Sequence, residues 1–87
     1  MIQKDVTIID RIGMHARPAS MFSNIAAQCK ANIKILFNGN EINAKSIMAV
    51  LAAGIVKGSR ITIVADGEDE EAAIEKLSAL VESNFES

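Results

Sequence analysis

Apolar and polar residues alternate one by one in separate stretches of this chain, and each alternation describes a strand with one dry face and one wet face. Between Ile2 and Ile9, the residues Ile2, Val6 and Ile8 fall on one side and Gln3, Asp5 and Thr7 on the other, with Lys4 the odd member of the apolar set. Ile33, Ile35 and Phe37 alternate with Asn32, Lys34 and Leu36, and after Asn38-Gly39 the pattern resumes at Glu41 and Ile42. Asn-Gly between two extended runs predicts a tight hairpin, because both residues accept the positive φ that a type I′ turn requires. A last strand is expected from Arg60 to Asp66, with Ile61, Ile63 and Ala65 inward, Thr62 and Asp66 outward, and Val64 an apolar exception on the outer side. Strands with one polar face need cover on the other face only, which makes an α+β two-layer sandwich with an open side.

The covering helices are read from a period of three to four. Ala19, Phe22, Ile25 or Ala26, and Cys29 recur at that spacing, with Ser20, Ser23, Asn24 and Gln28 opposite, so a first helix is predicted from about Ala16 to about Gln28. A short second helix follows Ser46 over Ile47-Met48-Ala49-Val50-Leu51-Ala52-Ala53, closed by Gly54. The third opens on Glu68-Asp69-Glu70-Glu71, negative charge that suits a helix start, and buries Ile74, Leu77, Leu80 and Val81 with Ala73 beside them. The tail after Asn84 is expected to fray. The order is β-α-β-β-α-β-α. At 87 residues and 49% apolar content there is material for one core, so residues 1–87 are expected to form a single domain.

The only histidine stands where the first strand pattern has stopped and the first helix begins, within Ile12-Gly13-Met14-His15-Ala16-Arg17-Pro18-Ala19-Ser20. The first N–H groups of a helix lack internal partners and lie at its positive end, a setting suited to a phosphoryl group. Arg17 adds a permanent positive charge, and Pro18 costs little in a first turn while stiffening the loop. With one histidine, one cysteine and no obvious partner carboxylate, no hydrolytic triad is evident. Imidazole itself is the plausible nucleophile: neutral histidine has a free lone pair at cellular pH and can take and return a phosphoryl group.

Ser46 reads first as a helix cap, yet a hydroxyl at a helix start beside Lys45 is also a good acceptor of phosphate. The helix after it is apolar nearly all round, so some of Ile47, Met48 and Leu51 should be exposed as a docking patch, with Met21 as a neighbour. Cys29 reads as a buried small hydrophobe that can form no internal disulfide.

Gly13-Met14-His15-Ala16-Arg17-Pro18-Ala19 resembles the active-site signature of HPr, the histidine-containing phosphocarrier family of the bacterial sugar phosphotransferase system. Asn43-Ala44-Lys45-Ser46-Ile47-Met48, followed by Gly54 and Lys57-Gly58, resembles the family's second signature, the serine-phosphorylation site of Gram-positive-type members. The resemblance implies an open-faced β-sandwich, four antiparallel strands with three helices on one face. It further implies that His15 is phosphorylated on Nδ1 by enzyme I, using phosphoenolpyruvate, and passes the group to IIA domains of sugar permeases. Arg17 would assist, with the backbone N–H groups of Ala16 and Arg17 facing the phosphoryl oxygens and Gly13 and Pro18 shaping the loop. Ser46 would be phosphorylated from ATP by HPr kinase/phosphorylase, lowering acceptance at His15 and creating a form that binds a catabolite-control transcription factor. Ile47, Met48 and Leu51 match the family's docking surface. Ile12 stands where many members have a small polar residue, Ala49 replaces a frequent glycine and Met14 a frequent Leu or Ile. The presence of His15 speaks against the regulatory paralogue that lacks it.

Composition narrows the alternatives. A net charge of −2, a pI near 5.3 and 3% aromatic residues supply neither the cations nor the stacking surfaces of a nucleic-acid binder. Neither metal-ligand spacing nor a cofactor is indicated, and no apolar run suggests a membrane span or a signal peptide. A cytoplasmic monomer with protein partners is expected. The rival reading is a regulatory binding module acting mainly through phosphorylated Ser46.

Overall fold

The computed structural model describes residues 1–86. The chain runs β1 (Ile2–Thr7), α1 (Ala16–Gln28), β2 (Asn32–Phe37), β3 (Asn40–Asn43), α2 (Ile47–Ala52), β4 (Arg60–Asp66) and α3 (Glu70–Glu82). The four strands form one antiparallel sheet in the order β1-β4-β2-β3, with β1 at one edge and β3 at the other. The hairpin turn is as its sequence demands: Asn38 and Gly39 have φ of 50° and 78°.

Register explains the alternation. Ile2, Lys4 and Val6 lie opposite Ala65, Ile63 and Ile61, and Ile33 and Ile35 oppose Ala65 and Ile63 from the other side. These face the helices, where Phe22, Ile35, Ile63, Leu77 and Val81 are fully buried. Lys4 shares that face without breaking the core, because its Nζ reaches past it to Ser78 Oγ (3.5 Å) and Glu82 Oε1 (3.4 Å) on α3. Val64 points to the open side and is nevertheless buried; it sits on an inner strand with the long side chains of Gln3 and Lys34 in register on either hand.

Two expectations are corrected. Ser23 is not on a solvated face of α1: it is buried and its Oγ has no hydrogen-bond partner among the described residues. Helix α1 packs against both α2 and α3, so its buried arc is wider than a single-sided stripe. Nor do the described residues fray directly after Asn84. Asn84 and Phe85 adopt left-handed φ of 58° and 61°, the Phe85 N–H donates to Leu80 O (2.8 Å), and the Phe85 ring is completely buried. Burying such a ring is worth roughly 1.5–3 kcal/mol, set against about 1–2 kcal/mol for the left-handed Phe85 and a smaller cost at Asn84, whose side chain suits that region.

The start of α3 does more than carry solvated charge. Asp69 accepts from the N–H groups of Lys30 (2.9 Å) and Ala31 (2.8 Å), tying α3 to the link between α1 and β2. Those two backbone bonds hold its carboxyl below the ordinary value of 3.8. A lowered folded-state value means that the contribution to stability is full above about pH 3.8 and is lost as pH falls through the lower folded value. Asp69→Asn should therefore flatten the acid limb of the stability–pH curve, leaving the part owed to Glu41 and Glu70, which are also lowered. Denaturant midpoints between pH 2 and 7 test it, and an unchanged acid limb would refute the assignment.

Candidate functional site

Asp10 builds the turn that delivers the histidine. Its Oδ1 accepts from the N–H of Ile12 (2.9 Å) and of Gly13 (3.2 Å), and its carbonyl accepts from Gly13 as well (3.0 Å). Gly13 then turns at φ 89° so closely against the following loop that an added Cβ would lie 2.5 Å from Ile55 O and 2.7 Å from Val56 Cα. Met14 is buried, and its N–H donates to the same Ile55 carbonyl (3.0 Å). The loop is thus fixed on both sides of Gly13 before the chain reaches His15.

His15 is the N-cap of α1, in extended conformation with φ −83° and ψ −170°. Its N–H donates to Gly13 O (2.9 Å) and its carbonyl accepts from Ala19 (2.9 Å), but its side chain makes no capping bond. Ala16 and Arg17 follow as the first helical residues, exposed, and buried Pro18 brings no N–H of its own. The open donors at this helix end are therefore the N–H groups of Ala16 and Arg17. The His15 side chain is 35% exposed, and its Nε2 lies 3.4 Å from Asp10 Oδ1. Asp10 is a partner that the sequence reading missed; an Asp three residues before a Gly, ahead of a lone histidine, was the available signal.

Arg17 is in the first turn beside His15, but its guanidinium points to the chain end, where Nη2 donates to Phe85 O (3.2 Å). The buried Phe85, itself missed, is what brings that carbonyl into reach. Among the described residues, no group of three or more His, Cys, Asp or Glu side chains could hold a metal ion, and no helix is long and apolar enough to cross a membrane.

The second cluster lies on α2, which packs against α1. Ser46 is the N-cap, its Oγ accepting from Ala49 N–H (3.1 Å), and Gly54 takes the positive φ (71°) that ends the helix. Only Val50 of this helix is buried; Ile47, Leu51 and above all Met48 (76%) are exposed, while Met21 of α1 is half-buried. Lys45 turns away from Ser46, its Nζ donating to Cys29 O (2.8 Å) at the end of α1. Ile12, Ile9 and Val56 add exposed apolar surface around the histidine loop.

A family model described as the PTS HPr component phosphorylation site matches residues 2–83. The phosphocarrier protein HPr of Cupriavidus necator is 42% identical over 87 residues, covering 98% of this chain and 96% of the relative. The crystal structure of HPr-C-His from Thermoanaerobacter tengcongensis superposes with a TM-score of 0.94 at 36% identity, covering 98% and 96% of the two chains. Crh, the Bacillus subtilis catabolite repression protein, described as a domain-swapped, intertwined dimer, matches with a TM-score of 0.77 at 34% identity over the whole of both chains. With one sheet, three helices on its inner face and a histidine at an open helix start, matched along nearly its whole length, this chain belongs to the HPr family of phosphocarrier proteins.

Proposed function

We propose that residues 1–87 act as one HPr-like domain that accepts a phosphoryl group on His15 from phosphorylated enzyme I and passes it to IIA domains of sugar permeases. The observation that carries this reading is the half-exposed imidazole at the uncapped start of α1, with the N–H groups of Ala16 and Arg17 open beside it. Those donors and the Arg17 guanidinium stabilise phosphoryl oxygens without forming a bond that must later be broken. Arg17 reaches them by leaving the Phe85 carbonyl, one hydrogen bond exchanged for a charged one. Gly13 and Pro18 keep the loop in shape. No cofactor is required, and the chain is a stoichiometric intermediate rather than a catalyst with its own turnover.

Ser46 is the regulatory position in this reading, phosphorylated from ATP by HPr kinase/phosphorylase. Its half-buried hydroxyl beside exposed Ile47, Met48 and Leu51 supports a site where modification alters docking of enzyme I and recruits a catabolite-control transcription factor. The protein is a cytoplasmic monomer, with sedimentation as a 9.3 kDa species as the check. Intact mass tests the whole scheme. Phosphoenolpyruvate and enzyme I should add one acid-labile phosphate, and ATP with HPr kinase/phosphorylase one acid-stable phosphate that Ser46→Ala eliminates. Only the acid-stable product would favour the regulatory module and sink the carrier.

A further inference from the structure

Asp10 Oδ1 is held by two backbone N–H groups, from Ile12 and Gly13, and faces His15 Nε2 at 3.4 Å with its side chain only 16% exposed. The carboxylate is therefore positioned before the ring changes state, so its field costs no rearrangement during transfer. Resting on the carrier reading, we propose that Asp10 is a positioning residue for phosphoryl transfer, holding the ring proton on Nε2 so that Nδ1 is the nitrogen that attacks and later leaves.

In neutral imidazole one nitrogen carries the proton and the other the lone pair, and a negative charge nearer one nitrogen favours the proton there. An ionised carboxylate only accepts, so beside Nε2 it keeps the proton there and the lone pair on Nδ1. That pair forms the Nδ1–P bond while the nitrogen–phosphorus bond of a phosphohistidine donor breaks, its electrons returning to the donor nitrogen. The product ring is a phosphoimidazolium that still holds its Nε2 proton against Asp10. On transfer to an acceptor, the acceptor's lone pair bonds to phosphorus, the Nδ1–P bond breaks, and its electrons return to Nδ1. Neutral imidazole departs with the proton where it began. Loss of that proton beforehand leaves imidazolate as the leaving group, a far poorer one. Asp10 thus keeps the phosphorylated ring ready to transfer.

The charges carried by the elements meeting here are Asp10 and Arg11 in the loop, Arg17 on α1, Lys57 beyond Val56, and Glu86 beyond Phe85; α2 has none. Among the described residues only Asp10 forms an ion-pair contact with the ring. Asp10→Asn keeps an oxygen for the two backbone N–H groups and removes the charge, which separates positioning of the loop from action on the ring.

The full chain and the Asp10→Asn and Asp10→Glu variants are phosphorylated with phosphoenolpyruvate and enzyme I, freed of enzyme I, and titrated through the phosphohistidine 31P resonance. The curve of Asp10→Asn should separate from that of the full chain, and that of Asp10→Glu should return toward it. On the alkaline side of the profile, transfer to a IIA domain should slow by about tenfold in Asp10→Asn. Superimposable curves from three labelled proteins would overturn the role of Asp10 alone. No labelling of the unaltered chain would overturn the carrier reading, and this proposal with it.

Discussion

On the carrier reading, His15→Ala should take up no phosphate from phosphoenolpyruvate and enzyme I under conditions where the unaltered chain should gain one acid-labile group per molecule. The loss is complete because the chain has a single histidine and no substitute stands near it: Cys29, the one thiol, is buried and donates to Ile25 O. The fold should survive the change. The backbone bonds of His15 to Gly13 and Ala19 do not involve the ring, which is part-exposed and caps nothing. Thermal stability should therefore stay within about 0.5 kcal/mol of the original. Intact mass and a melting curve on the same sample give both readings, and acid-labile phosphate persisting in the variant would refute His15 as the acceptor.

Gly13→Ala combines two penalties, of which Gly39, Gly54 and Gly58 would meet only the first. At φ 89° any side chain is strained, at about 1–2 kcal/mol. The added Cβ also meets backbone on the far side, 2.5 Å from Ile55 O and 2.7 Å from Val56 Cα, and such overpacking costs about 1–3 kcal/mol more. Neither neighbour is a flexible side-chain tip, so the loop must move, and His15 with it. A loss near 3 kcal/mol is expected, together with a labelling rate reduced about a hundredfold, as a displacement of about an ångström can do. Gly39→Ala is the control: φ is 78° but nothing lies within 4 Å of the added carbon, so it should lose only the strain and label normally. Equal damage from the two substitutions would refute the steric account.

What the sequence revealed and what it concealed divide by the range of the forces involved. The hairpin at Asn38-Gly39, the cap at Ser46, the stop at Gly54 and the span of α1 are decided by residues within a turn of one another, and periodicity exposed them. Ser23 misled because its burial depends on two helices flanking α1, whereas a helical wheel assumes one buried side. Phe85 is a lone apolar residue among polar ones, and only the completed core gives its ring a place. Asp69 was read as helix-start charge, since nothing near it in sequence reveals that Lys30 and Ala31 need an acceptor. Asp10 escaped notice because it stands five positions before His15, and the turn at Gly13 is what brings the carboxylate back to the ring. The exposed apolar residues of α2 were anticipated by a simpler rule: a small domain had no room for them all.

The placement of β1 has a consequence for the order in which the molecule comes together. Its only partner in the sheet is β4, with Ile2 against Ala65 and Val6 against Ile61, so the first strand to be synthesised is the one whose pairing must wait for most of the chain. The β2–β3 hairpin closes locally, and α1 and α2 can form, while β1 remains a free ribbon carrying Ile2 and Val6. Its pairing must therefore wait until β4 is made, and it is then captured along the exposed edge of β4. That edge is identical in every copy, so whatever slows capture within one molecule lengthens the time in which a neighbouring copy's β4 competes for the same ribbon.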